Sequence, residues 1–304
     1  MPTSATSPNT PTYFQQPLPT MSPAIALPSP TTSTPENQPT TTTTTTTTLP
    51  TPHPKKFPTP PLRLQLNDLS HEGSSIFLSH IHGNEDLAFQ VQNVLNLLYS
   101  PNDPKDLNAR PATRSVTFVI HPFDGVAYTT GLDLDDAHKE IHLSADYIVR
   151  CCGGPRGSAA DKRREILGVV CHELVHCFQW NAEGTCPGGL IEGIADWVRL
   201  RAGLAARHWR REAGGDWDGG YQKTGHFLEW LEGEFGGGTV AGLNACLRRG
   251  EWDEVRVFEE CCGGRRVGEL WERYREELAG LKDAGVEEGP GAANPVPTHP
   301  AREV

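Results

Sequence analysis

The pentapeptide His172-Glu173-Leu174-Val175-His176 sits inside an otherwise apolar run from Ile166 to Phe178, and the rest of the fold has to be arranged around it. In a helix, residues four apart stack on one face, so both imidazoles can reach a single ion. Glu173 stands about 100° round the axis, where its carboxylate can touch a water held by that ion. Neutral imidazole is a good ligand for Zn²⁺. A hydrolytic zinc site uses three protein ligands and keeps a fourth position for a water whose pKa falls to about 7. The pattern therefore calls for a long helix and for a third ligand brought from another element. Read alone, the pentapeptide leaves open a plain amphipathic helix with two hydrogen-bonded histidines.

The third ligand has a candidate sixteen positions after His176. Glu192 is followed four residues later by Asp196, so the two carboxylates share a helical face. Glu192 can complete a His₂Glu site, and Asp196 can accept the free N–H of a liganding histidine and fix its tautomer. E-x-x-x-D after HExxH is the pattern of the gluzincin metallopeptidases. The metzincin alternative needs Gly at 179 and His at 182, where this chain has Gln179 and Ala182.

Elsewhere the chain divides by composition. Sixteen of the 26 prolines lie between Pro2 and Pro61, together with an unbroken threonine run from Thr40 to Thr48, and this segment has too few apolar residues to offset the entropy of ordering it. Residues 1–60 are expected to be a disordered tail, 61–282 one catalytic domain, and 283–304 a flexible end. Before residue 61 only Glu36, Lys55 and Lys56 are charged, so the remainder carries about −12 of a formal total of −11. An acidic body argues against nucleic acid and anionic lipid as partners. No stretch is long and apolar enough for a membrane span. The N-terminus shows no secretory signal, so a cytoplasmic or non-classically secreted protein is expected, with a monomer favoured.

Apolar spacing predicts a helix over 85–98, stopped by Ser100-Pro101-Asn102. Residues 115–120 and 126–130 read as a hairpin turning through Asp124-Gly125, and 140–144 as a strand with one solvated face, a candidate sheet edge. Helices follow at about 160–180, 189–202, 221–235, 240–248 and 267–281. The seven tryptophans read as core. The class is α+β: an N-terminal helix and a small antiparallel or mixed sheet, then a helical half carrying the HExxH and ExxxD helices, zincin-like.

The run Gly168–Gly203, with Gln179-Trp180-Asn181, Pro187 to Asp196 and Val198-Arg199-Leu200, resembles the core of the basic secretory protein family of plants, bacteria and fungi. The resemblance extends more weakly to Asp124–Tyr128, Lys139–His142, Trp217–Tyr221 and Phe227-Leu228, and covers about residues 63–281. It implies a zinc metallopeptidase of the thermolysin-like clan, acting on a peptide or protein substrate with one Zn²⁺ per chain. His172 and His176 would be ligands, Glu173 the catalytic acid and base, and Glu192 the third ligand by clan analogy. In that clan an edge strand pairs with the extended peptide, for which Ile141–Tyr147 is the candidate. A donor to the developing oxyanion is also needed. Tyr221, His208 and His226 qualify by residue type, and Tyr221 is taken because it lies in the family-like segment. A non-catalytic defence or interaction protein that keeps the fold and a structural metal is the rival reading. The eight cysteines can be reduced, buried thiols or an oxidised framework; for those flanking the motif, a Cys177–Cys186 bridge pinning the loop between the two ligand helices is favoured over a thiolate on the metal.

Overall fold

Four strands form one mixed sheet in the computed structural model, which describes residues 56–99, 109–155 and 157–283. They are β1 (Leu62–Leu66), β2 (Ser115–His121), β3 (Ala127–Leu132) and β4 (Asp135–Ser144), in the spatial order β1-β2-β4-β3. β1 and β4 both run parallel to β2, with Leu64 opposite Phe118 and Phe118 opposite Ile141. β3 is antiparallel to β4, with Thr129 opposite Ile141 and Tyr128 opposite His142. The fold is α+β, with nine α-helices among the described residues.

The sheet differs from expectation at two points. The hairpin joins β3 to β4, through Asp133-Leu134, and β2 is separated from β3 by the whole width of β4. β3 is therefore an edge, with β1 at the other end, and β4 lies inside the sheet. The cause is burial. Val116, Phe118 and Ile120 of β2 and Ile141 and Leu143 of β4 all sink into the core, so these strands take the central places, while β3 alternates half-buried and exposed positions. The alternation in β4 reports which face meets solvent and says nothing of what flanks the strand. Nor does the strand extend to Tyr147. The Ser144 hydroxyl accepts the Tyr147 N–H at 3.1 Å and starts a helix there.

The helices are α1 (Glu72–His80), α2 (Gly83–Leu98), α3 (Ala145–Cys152), α4 (Ala159–Phe178), α5 (Gly188–Arg201), α6 (Tyr221–Phe235), α7 (Thr239–Cys246), α8 (Glu254–Cys261) and α9 (Val267–Asp283). The chain enters the core at Phe57, whose backbone exchanges hydrogen bonds with the Gln92 side chain and whose ring meets Tyr99 edge-on at 6.4 Å. The Pro/Thr-rich stretch through residue 55, the expected stop at Ser100-Pro101-Asn102 and the segment from 284 onward lie outside the described residues.

α4 is the central helix. A capping box between Ser158 and Asp161 opens it. From Ile166 to Phe178 nearly every side chain is buried, as befits a helix covered on several sides by the sheet, α2 and α5. Its last carbonyls are capped from a distance: Tyr99 donates its hydroxyl to the Phe178 carbonyl and Thr113 to that of Cys177. Beside it, α5 and α6 pack with almost no clearance. A Cβ on Gly193 would run into Thr224 Cγ2, and one on Gly189 would overlap the Asp218 carbonyl oxygen. Gly193 thus lets α6, and Gly189 the loop before it, close against the helix that carries Glu192. Five of the seven tryptophans are buried; Trp180 and Trp252 are half-buried against the core.

Candidate metal centre

α4 and α5 turn His172, His176 and Glu192 toward one point. The two Nε2 atoms lie 3.3 Å apart. The Glu192 carboxylate oxygens lie 3.0 Å from His172 Nε2 and 3.7 Å from His176 Nε2. These are the three residues among those described whose ligand atoms all fall within 4.8 Å of one another. A tetrahedral ion with bonds near 2.1 Å separates its ligands by roughly 3.4 Å. The observed separations of 3.0, 3.3 and 3.7 Å bracket that value, and two neutral nitrogens with one carboxylate are a donor set that zinc takes. The residues fit one such ion.

Both histidines are held from behind. His172 Nδ1 is 2.7 Å from Asp196 Oδ1, and the carboxylate of this deeply buried Asp196 fixes the proton on Nδ1. His176 Nδ1 is 2.8 Å from the side-chain amide of Gln179, at the C-terminal end of α4. With no metal bound, burial pulls both imidazoles toward the neutral form. At His172 the hydrogen bonds to Asp196 and Glu192 outweigh it and raise the pKa to about 9, whereas His176, without that support and next to a charged His172, falls to about 4. Burial acts against the charge of Glu192, yet its hydrogen bond to His172 leaves the carboxyl below its usual range.

Glu173 is separate from the ligand set and only 6 % exposed. Its Oε2 accepts a hydrogen bond of 2.7 Å from the Thr129 hydroxyl of the edge strand β3, which also lies 3.0 Å from the Glu173 carbonyl oxygen. Burial pushes its pKa up, and the neighbouring His172 charge and the Thr129 hydrogen bond hold back part of that rise. The carboxyl is thus a dry, titratable group beside the three candidate ligands.

These residues open onto a cleft of about 750 Å³. Residues 126–129 form one wall, Tyr221 and His208 stand on others, and at depth Arg199 and Tyr147 both donate to Glu165 Oε1, at 3.1 and 2.8 Å. Tyr221 is 61 % exposed, with its ring 6.3 Å from the His172 ring and nearly parallel to it. Its φ of 49° follows Gly220 at 81°, a left-handed turn that is uncommon for a side-chain-bearing residue and strained at the mouth of the cleft. The Glu192 charge, more than burial, raises its phenol pKa.

The structure thus gathers His172, Glu173, His176, Glu192, Asp196 and Tyr221 at one cleft. His208 reaches the cleft lining, but His226 does not: it is buried beside Trp209 with its Nε2 unpaired. Cys171 and Cys177 are buried away from the ligand atoms as thiols, and burial pushes Cys171 up to about 12. Cys177 and Cys186 are both free, so no bridge joins the ligand helices. Two residues at the centre go beyond what the sequence pattern names. Thr129 lies on a strand whose edge position depends on distant pairings. Gln179 enters the sequence reading only as the absence of a metzincin glycine and as part of the family-like Gln179-Trp180-Asn181, with no role given to its side chain.

Compared with known proteins, residues 59–274 match the family model BSP, described as "Peptidase of plants and bacteria", over more than two thirds of the chain. No curated protein and no solved structure matches it.

Proposed function

The chain belongs to the BSP family of peptidases of plants and bacteria, and from that membership we propose that it hydrolyses peptide bonds with one zinc ion held by His172, His176 and Glu192. A peptidase takes a peptide or protein as substrate; zinc dependence and the roles of individual residues are this reading's own additions. The observation that carries it is the convergence of three ligand atoms within 4.8 Å beside a buried carboxyl, Glu173, that is not one of them.

A bound zinc ion would supply Lewis acidity, lowering the pKa of a water toward about 7 and drawing charge from the scissile carbonyl. The protein does the rest. Glu173 takes a proton from the attacking water and returns it to the leaving amine nitrogen. Its burial brings its pKa nearer to neutrality, where one group can do both, and the Thr129 hydroxyl favours the accepting, ionised form. Asp196 holds the His172 ring by its Nδ1–H. Tyr221 is assigned as the donor to the carbonyl oxygen that gains charge, because it stands beside His172 at the cleft mouth. The free edge of β3 runs along the cleft wall, so an extended peptide laid there can pair with its unpartnered backbone groups. We assign this catalytic unit to residues 61–282, with the Pro/Thr-rich segment before it outside the unit.

The test is metal content and turnover together. Purified protein should contain one zinc per chain and digest unstructured casein. A chelator should stop digestion and added zinc should restore it. Undiminished hydrolysis by zinc-free protein rejects the reading.

A further inference from the structure

Gln179 makes one contact and lacks another, and the two together give it a role. Its side chain is 8 % exposed, its Nε2 lies 2.8 Å from His176 Nδ1, and its Oε1 is buried with no hydrogen-bond partner. A neutral imidazole carries one N–H. With the amide nitrogen donating to Nδ1, the ring proton must sit on Nε2, the atom that faces His172 Nε2 at 3.3 Å and Glu192 Oε1 at 3.7 Å. That tautomer cannot ligate a metal through Nε2. Because Oε1 has no hydrogen-bond partner, nothing at the other end of the amide fixes this orientation. Amide N and O have nearly the same shape, so turning the group over needs no extra room.

We infer that Gln179 is a positioning residue for His176, its side-chain carbonyl accepting the Nδ1–H so that the Nε2 lone pair is bare and aimed at the point His172 and Glu192 share. The inference rests on the proposed zinc site. It gives the two histidines unlike supports, a carboxylate behind His172 and a neutral amide behind His176. The backbone of Gln179 is held independently of its side chain. Its N–H donates to the Val175 carbonyl at 2.8 Å, and the next N–H, of Trp180, donates to Asn244 Oδ1 at 2.9 Å. The side chain can therefore be changed with the helix end still tied down.

The experiment measures zinc dissociation constants by competition with a chromophoric chelator for the wild type, Gln179→Met and Gln179→Glu, along with the melting temperature of each metal-free protein. Gln179→Met keeps the length and loses the acceptor; it should bind zinc about 10- to 100-fold more weakly, as loss of a partner behind a ligand does, with an unchanged metal-free melting temperature. Gln179→Glu keeps an acceptor at Nδ1 and should bind zinc more tightly than Gln179→Met by at least that same factor. Equal affinity of Gln179→Met and wild type overturns the inference, as does a Gln179→Glu protein as weak as Gln179→Met. A Gln179→Met protein that melts lower when metal-free but binds zinc normally shows a packing role only and overturns it too. Wild-type protein that takes up no zinc removes the zinc site itself, and the inference with it; that outcome is distinct from a wild type that binds while its variants do not differ.

Discussion

The seam between α4 and α5 and the edge strand β3 form opposite sides of one cleft and are built on opposite principles. The seam is dry and tightly fitted. It is lined by buried residues, backed by Asp196 and Gln179, and closed from outside by α6 against glycines that leave no room for a methyl group. β3 has half its residues exposed, one edge without a strand partner among the described residues, and one side-chain hydroxyl reaching inward to Glu173. A metal needs ligands held at fixed separations, which close packing provides. A peptide substrate needs backbone groups not yet paired, which only an edge provides. Glu173, the proposed acid and base, stands where the two meet: it belongs to the rigid helix but is hydrogen-bonded by the open strand.

The most demanding test of this division of labour lies at that meeting point. Glu173→Gln should lower kcat by about 10²- to 10⁴-fold, the usual contribution of a general acid–base group, while zinc content stays at one per chain. Loss of zinc together with activity would make Glu173 part of the ligand seam and erase the distinction.

The next test concerns the seam by itself, without metal. His172 has a folded pKa raised to about 9, so the stability it contributes is complete below the ordinary value of 6.5 and is lost as pH rises through 9. His176 has a folded pKa lowered to about 4, so the unfolded chain takes up a proton first and stability is lost as pH falls from 6.5 toward 4. Metal-free protein should therefore be most stable near pH 6.5 and weaken on both sides, by on the order of 2–3 kcal/mol at each limit. Urea unfolding across pH 4–9 measures this, and a flat profile would mean the two rings are not held in a shared, dry site. Packing gives a comparable effect: Gly193→Ala should destabilise by about 1–3 kcal/mol through overpacking against Thr224, read as a lowered melting temperature.

The two regions also differ in how far they can be read from sequence. α4, α5 and the convergence of their side chains follow from a spacing of four along one helix and the same spacing of carboxylates on the next, so local pattern is enough to bring His172, His176, Glu192 and Asp196 together as candidates. The helices over 221–235 and 267–283 are likewise legible from periodicity. β3 is not. Which strand lies at an edge depends on pairings between segments far apart in sequence, and nothing in residues 127–132 announces that β4 lies between them and β2. α3 is hidden behind β4 because the strand passes into a helix at a single serine, Ser144. Gln179 is hidden for another reason: its significance is a hydrogen bond to its own helix, three residues back, which residue type does not signal.

The smallest expected effect asks how much the open strand contributes to the chemistry. Thr129→Val keeps the shape of the side chain and removes the hydroxyl that bonds Glu173 Oε2. That bond lowers the Glu173 pKa against the burial that raises it, so without it the carboxyl should stay protonated to higher pH. The acid limb of the pH–rate profile should therefore move upward, with kcat near neutrality falling by about tenfold, the loss that roughly one hydrogen bond to a charged group produces. Zinc affinity should not change, since no ligand is touched. Thr130→Val, on the exposed neighbour whose hydroxyl meets only the Gly131 carbonyl, should leave rate and profile alone. If both variants behave alike, the strand serves the substrate only and the base is set by the helix; if only Thr129→Val shifts the limb, the exposed wall tunes the proton transfer that the buried seam carries out.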